Sequence, residues 1–473
     1  IVREYLEMDN DELLEAQGIQ ECNKQTSLFE NMSDENADNT SKIKAGIYAK
    51  EIFELSEVTI NKLKEIDCLE LFENIDMPTV EVLAEMQWNG MYLDIDELNK
   101  YGDQLKERLE ILTKEIYELC GEEFNINSTK QLGEMLFEKL KLPVVKKTKS
   151  GYSTDVDVLE KLVEEHPVIE KILEYRQLMK LNSTYVEGLK PYINPKTNRI
   201  HSFFHQTITA TGRISSTEPN LQNIPTRIEL GKRLRKVFKP AEGSIYLDAD
   251  YSQIELRLLA HITEDKHLSE AFNSGIDVHT LTASKVFEVP VEEVTKEMRY
   301  KAKAVNFGII YGQSKYGLAK ALGISNKEAE EFISKYFATY PRVKAYMEGT
   351  ILEAEKKGYV ETIFGRKRYL ETELASSNAM IREFGKRAAI NQPMQGTAAD
   401  LMKIAMIEFS KKLKENNLKS KMIIQVHDEL VVEVLKSELD EVTKLVKVAM
   451  ELNQPLSVPL VVDVNVGESW KEQ

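Results

Sequence analysis

The β-rich stretches of this chain lie in two groups that are separated by a long helical segment. SIYLDAD (244–250) ends in Asp250, whereas KMIIQVHDELVVEVL (421–435) contains two β-rich runs that meet at His427 and Asp428. Residues 264–380 show helical periodicity, and the last β-rich run ends near residue 466. This pattern predicts a mixed α+β fold in which distant segments, near 195–250 and 422–466, form one sheet around a helical insertion.

The acidic residues at the ends of these β-rich runs also have a purely structural explanation. The local pattern does not decide between that explanation and a functional one. Ser252 and Glu255 fit an S-x-x-E capping box, so the polar residues after Asp250 would only start a helix. Asp428 and Glu429 would form an exposed acidic bend, although His-Asp is a poor substitute for Asn-Gly in a tight hairpin. Within one sheet, however, Asp250 and Asp428 would come close and repel each other unless a cation bridged them.

The segment RYKAKAVNFGIIYG (299–312) spaces two cations and two aromatic residues four positions apart. On an α-helix, Arg299, Lys303, Phe307 and Tyr311 would form one stripe, because each step of four residues turns the side chain by only about 40°. A nucleoside triphosphate, with clustered negative charge at one end and a planar ring at the other, would fit this stripe. A surface helix with a basic edge and buried aromatic residues is the alternative, which this segment alone leaves open.

Paired carboxylates and a cationic stripe together favour a metal-dependent reaction of a nucleotide. Mg²⁺ prefers one or two carboxylates together with phosphate oxygens and water, so Asp250 and Asp428 would hold it with a triphosphate. Two ions placed in this way can activate an attacking hydroxyl and stabilise a leaving pyrophosphate. The sequence has no Gly-x-x-x-x-Gly-Lys-Ser/Thr motif, which excludes a P-loop.

The overall charge argues against a nucleic-acid partner, whereas the local charge allows one. The 473 residues have a net charge of −16, and binding to phosphates normally needs Lys and Arg. Locally basic segments at 138–151 and 227–239 would provide a binding face. No apolar run is long enough to span a bilayer, and no signal-peptide pattern occurs. The three cysteines lack metal-ligand spacing, which predicts free thiols in a reducing, cytoplasmic environment.

A pair of long helices is predicted before the β-rich part. Apolar residues at steps of three and four predict a helix between residues 98 and 119, with the segment 166–189 as its antiparallel partner. The lysine-rich segment between them would form a basic tip. In the acidic N-terminal region, the polar stretch 31–42 predicts a loop.

Five motifs resemble signatures of family A DNA polymerases, the bacterial DNA polymerase I group, in its large (Klenow-type) fragment. The three polymerase motifs are matched, in order, by DYSQIELR (250–257), RYKAKAVNFGIIYG (299–312) and VHDE (426–429). Two further signatures are matched by TATGRISSTEPNLQNIP (209–225) and INQPMQGTAADLMK (390–403). The similarity runs from about Phe72 to Trp470, and it favours the functional explanations over the purely structural ones.

The resemblance implies a right-hand polymerase fold of the mixed α+β class with an antiparallel palm sheet. Residues 71–195 would form the thumb, 196–263 and 381–473 the two parts of the palm, and 264–380 the fingers. Residues 1–70 would be the remnant of a vestigial 3′–5′ exonuclease-like domain. In proofreading relatives that domain ends in Tyr-x-x-x-Asp, whereas YAKEI (48–52) has Ile52, which cannot bind a metal. We therefore expect no proofreading.

The resemblance also implies a role for each matching residue. Asp250, the Tyr251 backbone carbonyl and Asp428 would bind two Mg²⁺ ions, for which Mn²⁺ can substitute, and Glu429 would be an auxiliary acid. Lys303 would donate a proton to pyrophosphate. The other residues around the incoming deoxynucleotide would be Arg299, Phe307, Tyr311, His279, Gln253 and Glu255. The residues that contact primer and template would be Arg213, Asn220, Gln222, Asn223, Arg227, Arg387, Asn391, Gln395 and His427.

These roles describe a DNA-directed DNA polymerase of replication and repair. Its partners would be primer–template DNA and deoxynucleoside triphosphates, and it would act as a monomer, without a membrane, in the bacterial cytoplasm at the nucleoid. Glu255, beneath the sugar, would exclude ribonucleotides, while Gly308 and Gly312 would leave room for the base pair. The alternatives are a metal-dependent nuclease, which has no use for the cationic and aromatic stripe, and a non-catalytic relative, which would be expected to lose Asp250 or Asp428.

Overall fold

The sheet that carries Asp250 joins segments from distant parts of the chain. The computed structural model describes residues 34–148, 151–225, 229–451 and 456–470. The strands at 421–426, 429–435, 244–251 and 462–467 lie in this order in one antiparallel sheet, which confirms that distant segments form it. The strands between residues 193 and 217 belong to two smaller sheets, so the prediction is wrong for that part of the chain. The strands are β1 (Met91–Tyr92), β2 (Lys147–Thr148), β3 (Gly151–Tyr152), β4 (Ile193–Asn194), β5 (Arg199–Ile200), β6 (Phe203–His205), β7 (Ser215–Thr217), β8 (Ser244–Tyr251), β9 (Tyr359–Glu361), β10 (Lys367–Tyr369), β11 (Lys421–Val426), β12 (Glu429–Leu435) and β13 (Val462–Gly467).

Helices make up most of the remaining structure. Those before β8 are α1 (Asp34–Glu65), α2 (Leu69–Leu71), α3 (Met77–Asn89), α4 (Ile95–Cys120), α5 (Thr129–Glu134), α6 (Val156–Leu159), α7 (Val168–Lys180) and α8 (Glu229–Arg235). Those after β8 are α9 (Ile254–Thr263), α10 (Lys266–Asn273), α11 (Val278–Phe287), α12 (Lys296–Ile310), α13 (Lys315–Leu322), α14 (Asn326–Thr339), α15 (Pro341–Lys357), α16 (Glu371–Leu374), α17 (Ala379–Glu415) and α18 (Leu439–Glu451). Within the described ranges, every helix is either too short or too polar to pass through a bilayer.

The predicted pair of long helices is confirmed as α4 and α7, which pack against each other. The stripe on α4 is buried from Leu98 to Ile116. Asp94 caps the start of this helix, because its side chain accepts a hydrogen bond from the backbone N–H of Glu97. A bidentate ion pair between Arg108 and Glu174, with N–O distances of 2.7 and 2.8 Å, joins the two helices at their surface. Apolar burial therefore holds the pair, and the ion pair fixes its register.

The helical insertion between the two groups of strands has an apolar core of its own. Leu256 and Leu259 from α9 pack there with Ile309 from α12 and with residues of α13 to α15. The helix α17, 37 residues long, contributes Ile390 to this core and Leu401 to the core around the main sheet. This helix therefore connects the two cores, as does α9, which contributes Leu258 to the core around the main sheet.

The loop predicted at residues 31–42 is wrong for the part of it that the structure describes. Residues 34–42 belong to α1, which extends from Asp34 to Glu65. Polar and acidic residues suggested a loop, but Asp and Glu are well tolerated in the first turns of a helix, where they face the positive end of its dipole. Composition alone could not separate a solvated helix from a loop here.

A buried ionic cluster ties three distant segments together next to the sheet. Arg366 donates from Nε to Asp400 on α17 at 2.7 Å and from Nη2 to Asp76 at 2.7 Å. Lys403, which is only 1% exposed, donates to the same Asp76 oxygen at 2.9 Å, and Thr362 donates to Asp400 at 2.8 Å. Each buried charge in this cluster has an opposite charge within hydrogen-bond distance, which offsets the cost of its desolvation.

We expect Asp400→Asn to destabilise the protein by about 3 kcal/mol, because removal of one partner leaves the buried charges of Arg366 and Lys403 undercompensated. Equilibrium unfolding in urea measures this loss. Lys414→Gln is the matched control, since Lys414 pairs with Glu81 and Glu85 at the surface and its loss should leave the midpoint nearly unchanged. Equal losses for the two variants would contradict the assignment of the cluster as a structural tie.

Candidate active site

The main sheet brings the three predicted acidic residues together. Asp250, near the end of β8, lies directly opposite Glu429, the first residue of β12. The backbone N–H of Tyr251 donates to the carbonyl of Asp428 at 3.1 Å. His427 and Asp428 form the turn between β11 and β12, and His427 has a positive φ of 55°. Asp250 and Asp428, which are 178 positions apart in sequence (428 − 250), thus meet where β8 ends and β12 begins. We call this end of the strands the acidic edge of the sheet.

These carboxylates are crowded and partly withdrawn from water. Burial, and then the charges of Asp428, Glu429 and Asp463, raises the pKa of Asp250 to about 7. Burial likewise raises the pKa of Asp428. Among the described residues, the Oδ1 atom of Asp250 is buried without a hydrogen-bond partner. Since a carboxylate in this situation gains strongly from a nearby cation, the site fits a divalent metal ion.

The site is not a closed metal cage of protein side chains. Within the described residues, no group of three or more His, Cys, Asp or Glu side chains is arranged to hold an ion. Asp250 and Asp428 are instead a pair of carboxylates beside open space. Mg²⁺ commonly uses one or two carboxylates and completes its shell with water and substrate phosphates, so the donor set suits this ion when a phosphate ligand is present.

Two cavities border the carboxylates. One of about 500 Å³ is lined by Asp250, Asp428, Glu255, Phe307 and Tyr311, among others. The second, of about 460 Å³, is lined by residues of the loop 222–225 together with the same two aspartates and Glu429. The acidic edge of the sheet therefore faces space on two sides, and one of these spaces also contains the aromatic end of α12.

The stripe predicted from Arg299 to Tyr311 forms on α12, with a difference at its end. The helix ends at Ile310, and Tyr311 is its C-cap residue with φ −86°. The rings of Phe307 and Tyr311 are nevertheless stacked, with centroids 6.4 Å apart and an interplanar angle of 16°. Lys303 is exposed one turn before Phe307. Two cations and two rings thus follow one another along α12, as the spacing predicts.

Arg299 is engaged by a carboxylate of its own chain. Its Nε and Nη2 atoms donate to the two oxygens of Asp277 at 2.9 Å each. Asp277 also caps α11, because it accepts a hydrogen bond from the backbone N–H of Thr280 at 2.8 Å. Although burial acts in the opposite direction, the bonds from Arg299 and Thr280 lower the pKa of Asp277 to about 2. A phosphate ligand must therefore share Arg299 with Asp277 or replace it.

His279 lies buried between α11 and α12. Its Nδ1 atom is 2.9 Å from Nδ2 of Asn306, so the amide donates and the imidazole accepts. The ring centroid is 5.6 Å from that of Phe307. Burial lowers the pKa of His279 to about 4, with Arg299 and Lys303 acting in the same direction and Asp277 opposing them. The side chain is therefore a neutral imidazole at physiological pH.

Glu255 forms an ion pair and does not close the capping box with Ser252. Nη2 of Arg213 donates to Glu255 at 2.7 Å, and burial, followed by the charge and hydrogen bond of Glu255, raises the pKa of Tyr311. In the described part of the chain, the residue that precedes α9 is Gln253, with φ 56° and no capping side-chain hydrogen bond. The capping-box explanation is therefore wrong, and Glu255 is held at the edge of the larger cavity.

Gly312 is required by the protein itself, whereas a side chain at Gly308 would only displace the end of the Gln313 side chain. A Cβ atom on Gly312, which has φ 61°, would lie 2.8 Å from Cγ of Arg387. A Cβ atom on Gly308 would lie 2.6 Å from the amide oxygen of Gln313. Gly312 thus combines a left-handed backbone with a close contact that a larger residue would disturb. The expectation that these glycines leave room for a base pair is not needed to explain Gly312.

Four of the nine candidate DNA contacts line the two cavities, namely Arg213, Gln222, Asn223 and His427. Asn220 accepts from Ser216 and from the backbone of Gln222, and Gln222 donates to the carbonyl of Gln425 at 2.9 Å, so these amides hold their own loop. The carbonyl of Asn223 accepts from Tyr185 at 2.6 Å. Three further candidates are spaced by four on α17, namely Arg387, Asn391 and Gln395. Arg227 lies outside the described residues.

Four residues of the site were missed by sequence reasoning. Asp248 lies on the same face of β8 as Asp250, a relation that the period of two in a strand could have revealed. Asp463 lies opposite Asp250 on β13. Arg235 and Trp470 contact Glu429 from outside the recognised motifs. Trp470 has no signal in its local sequence, whereas Arg235 belongs to the basic segment 227–239 that was expected to provide a binding face.

Comparisons with known proteins agree with this geometry. The profile of DNA polymerase family A matches residues 95–472. DNA polymerase I of Caldicellulosiruptor bescii is 53% identical over 405 residues, which are 86% of this chain and 48% of that protein. DNA polymerase I of Bacillus subtilis is 51% identical over 426 residues, which are 90% of this chain and 48% of that protein. The chain spans about half the length of the curated relatives it matches.

A solved structure also matches over most of the chain. The POL domain of Pol1 from M. smegmatis, in complex with DNA primer-template and dNTP, has a TM-score of 0.85 and 43% sequence identity. The match covers 90% of this chain and 75% of that chain. With a family profile over residues 95–472 and relatives above 50% identity, the chain belongs to DNA polymerase family A.

Proposed function

We propose that this chain catalyses DNA-templated addition of deoxynucleotides to a primer 3′-hydroxyl, with release of pyrophosphate, in replication and repair. The observation that carries the proposal is the cavity lined both by Asp250 and Asp428 and by Phe307 and Tyr311. Acidic groups that fit metal ions and rings that fit a nucleobase thus border one space. Primer–template DNA and deoxynucleoside triphosphates are the proposed partners, met by a monomer in the bacterial cytoplasm at the nucleoid.

The proposed reaction is an in-line displacement at the α-phosphorus of the nucleotide. The primer 3′-oxygen forms the new bond, the bond to the bridging oxygen of the β-phosphate breaks, and pyrophosphate leaves. Asp250, the Tyr251 carbonyl and Asp428 would hold two Mg²⁺ ions, or Mn²⁺ in their place. When bound, such ions make the hydroxyl a better nucleophile and neutralise charge on the leaving group.

The other residues would bind and orient the nucleotide. Arg299 and Lys303 would neutralise the triphosphate, and Lys303, which is exposed, would supply the proton that pyrophosphate takes up. His279, as a neutral imidazole, would donate one hydrogen bond to a phosphate oxygen. Phe307 and Tyr311 would lie against the sugar and the base, with the backbone turn at Gly312 ending the stripe.

We propose the domain roles on the same basis. The helical pair α4 and α7 would be the thumb, the main sheet the palm, and the insertion α10 to α15 the fingers. The candidate contacts from Arg213 to Asn223 and from Arg387 to Gln395 would follow the minor groove, where acceptors are present on every base pair. Such contacts test the shape of a pair without reading its sequence.

We also propose that the chain lacks proofreading. Tyr48 and Ile52 both lie on α1, with 43% and 67% of their surface exposed. Ile52 occupies the position at which the Tyr-x-x-x-Asp motif has its metal-binding carboxylate, and an isoleucine side chain has no oxygen to offer a cation. A stepwise, metal-dependent loss of primer 3′ ends would contradict this proposal.

Primer extension with Mg²⁺ and one labelled deoxynucleotide tests the proposed activity. We expect the primer to grow, and Asp250→Asn or Asp428→Asn to slow the step by about a thousandfold, since several kcal/mol of transition-state stabilisation depend on the metal site. Asp440→Asn is the matched control, because Asp440 is exposed in the first turn of α18 and lines neither cavity of the site. A shortened or unchanged primer, or full speed in either aspartate variant, would refute the proposal.

We expect Glu255→Ala to increase ribonucleotide incorporation by about tenfold or more, because removal of the buried carboxylate opens space beside a 2′-hydroxyl. Competition between a ribonucleotide and the matching deoxynucleotide measures this ratio. Arg213→Met separates the steric role from the ion pair, since it removes the 2.7 Å partner of Glu255 while the carboxylate stays. An unchanged ratio in Glu255→Ala would show that another group excludes ribonucleotides.

We expect the stability of the nucleotide-free protein to fall as the pH drops from about 6.5 to 4, in part because of His279. An unfolded histidine takes up its proton near pH 6.5, whereas burial lowers the pKa of folded His279 to about 4, so the unfolded state binds more protons in this window. Urea midpoints at pH 7.5 and 5.0 should therefore differ less for His279→Gln than for the parent chain. An equal pH dependence would indicate that His279 is not buried as a neutral group.

A further inference from the structure

The carboxylate of Glu429 is held by the last described residue of the chain. Nε1 of Trp470 donates to Oε1 of Glu429 at 3.0 Å. Trp470 is 1% exposed, its ring lies edge-on to Phe238 at 5.5 Å, and its backbone N–H donates to the Phe238 carbonyl at 3.1 Å. The indole is therefore fixed from its backbone, from its ring and from its N–H group, in direct contact with the acidic edge of the sheet.

Arg235, at the end of α8, approaches the same carboxylate from the other face of the indole. Its guanidinium carbon lies 4.1 Å from the centre of the Trp470 ring, and Nη1 lies 4.0 Å from Oε1 of Glu429. Stacking of this kind suits a planar cation that is removed from water. Both contacts fall on Oε1, so Oε2 is the oxygen of Glu429 that can face the cavity shared with Asp250 and Asp428.

Asp248 adds a second carboxylate to the surroundings of Arg235. It lies on β8 two residues before Asp250, is 8% exposed, and its buried Oδ1 atom has no hydrogen-bond partner among the described residues. Asp248 and Glu429 both stabilise the charged form of Arg235, which burial disfavours. Arg235 is thus a cation that offsets the negative charge of Glu429 and Asp248, and it lines the cavity that also contains Asp250 and Asp428.

We propose that Trp470 and Arg235 are positioning residues that hold Glu429 for the polymerase reaction, a proposal that rests on the function proposed above. Trp470 fixes Oε1 by its N–H group, and Arg235 supplies the compensating charge. Glu429 then keeps one oxygen turned toward the cavity beside Asp428, and the two acids do not take alternative positions that would compete for the same space. Trp470 lines neither of the two cavities, and Arg235 lines only the one that it shares with Glu429. In this proposal each residue acts through Glu429.

The substitution Trp470→Phe separates the hydrogen bond from the packing. Phenylalanine keeps an aromatic ring against Phe238 and Arg235 but has no N–H donor. The matched control is Phe238→Leu, which weakens the packing of the same indole without removing its bond to Glu429. Arg235→Met tests the second half of the proposal if Trp470→Phe fails to fold.

Single-turnover primer extension gives the kinetic test. We expect Trp470→Phe and Arg235→Met each to lower the maximal rate about tenfold, with the apparent KM for the deoxynucleotide and the affinity for primer–template within about twofold of the parent. Because both residues act through Glu429, neither substitution should slow Glu429→Gln further. Phe238→Leu should lower the melting temperature while the rate stays within about twofold. The proposal would be overturned if either substitution slowed Glu429→Gln further. It would also be overturned if Trp470→Phe and Arg235→Met raised the KM and left the maximal rate unchanged.

Tryptophan fluorescence tests the contact without relying on activity. The chain has two tryptophans, and Trp88→Phe removes the other one, which is 86% exposed. In that background, we expect Glu429→Gln to shift the emission maximum of Trp470, because its N–H group loses a charged acceptor, whereas Asp463→Asn should not. An unchanged emission would overturn the contact itself. A parent chain that extends no primer refutes the proposed function and the positioning role with it, whereas a normal parent with an unaffected Trp470→Phe refutes the positioning role alone.

Discussion

Electrostatic repulsion among buried carboxylates is the constraint around which the rest of this structure is arranged. Pairing of β8 with β12 sets Asp250 opposite Glu429, and the turn after β11 adds Asp428. Like charges a few ångströms apart cost several kcal/mol when water is excluded. The sheet remains stable because its central strands bury apolar residues on both faces, and this burial offsets the repulsion. Tyr246, Leu247 and Val431 are among these residues. Apolar burial thus stabilises an arrangement that electrostatics opposes, and the excess negative charge is what makes the site attract cations.

The carboxylates of the main sheet and the cations of α12 lie beside two different apolar cores. The acidic residues lie next to apolar residues of the core around the main sheet, such as Ala249 and Leu430, whereas apolar residues of α12 belong to the core of the helical insertion. The two cores meet along α17, which contributes Ile390 to one and Leu401 to the other. Interiors that are packed separately can shift relative to each other at lower cost than one continuous core. The carboxylates proposed to hold metal and the cations proposed to hold phosphate are therefore set next to two different apolar cores.

Sequence periodicity was sufficient for the elements and for the central pair of acids, but not for the contacts between distant segments. Alternation predicted β8, β11 and β12, and spacing by four predicted the stripe on α12. The capping box failed because Arg213, 42 residues away, binds Glu255. The loop prediction is wrong for residues 34–42, the part of 31–42 that the structure describes, because composition does not distinguish a polar helix from a coil. Trp470 and Asp277 had no local signal, since each matters only through the residue that the fold sets beside it.

Two arginines proposed to bind the nucleotide or the DNA are paired with carboxylates of the same chain, which has a net charge of −16. Arg299 is paired with Asp277, and Arg213 with Glu255, each at hydrogen-bond distance. A phosphate that approached either arginine would replace the carboxylate that now binds it. The guanidinium would therefore keep an anionic partner throughout the exchange. The net gain from each such contact is then smaller than for an unpaired cation, because the displaced carboxylate must be solvated again. If the proposed function holds, affinity for a polyanion would come from many modest exchanges together with the carboxylates proposed to hold metal, and its loss with rising salt would be distributed over these contacts.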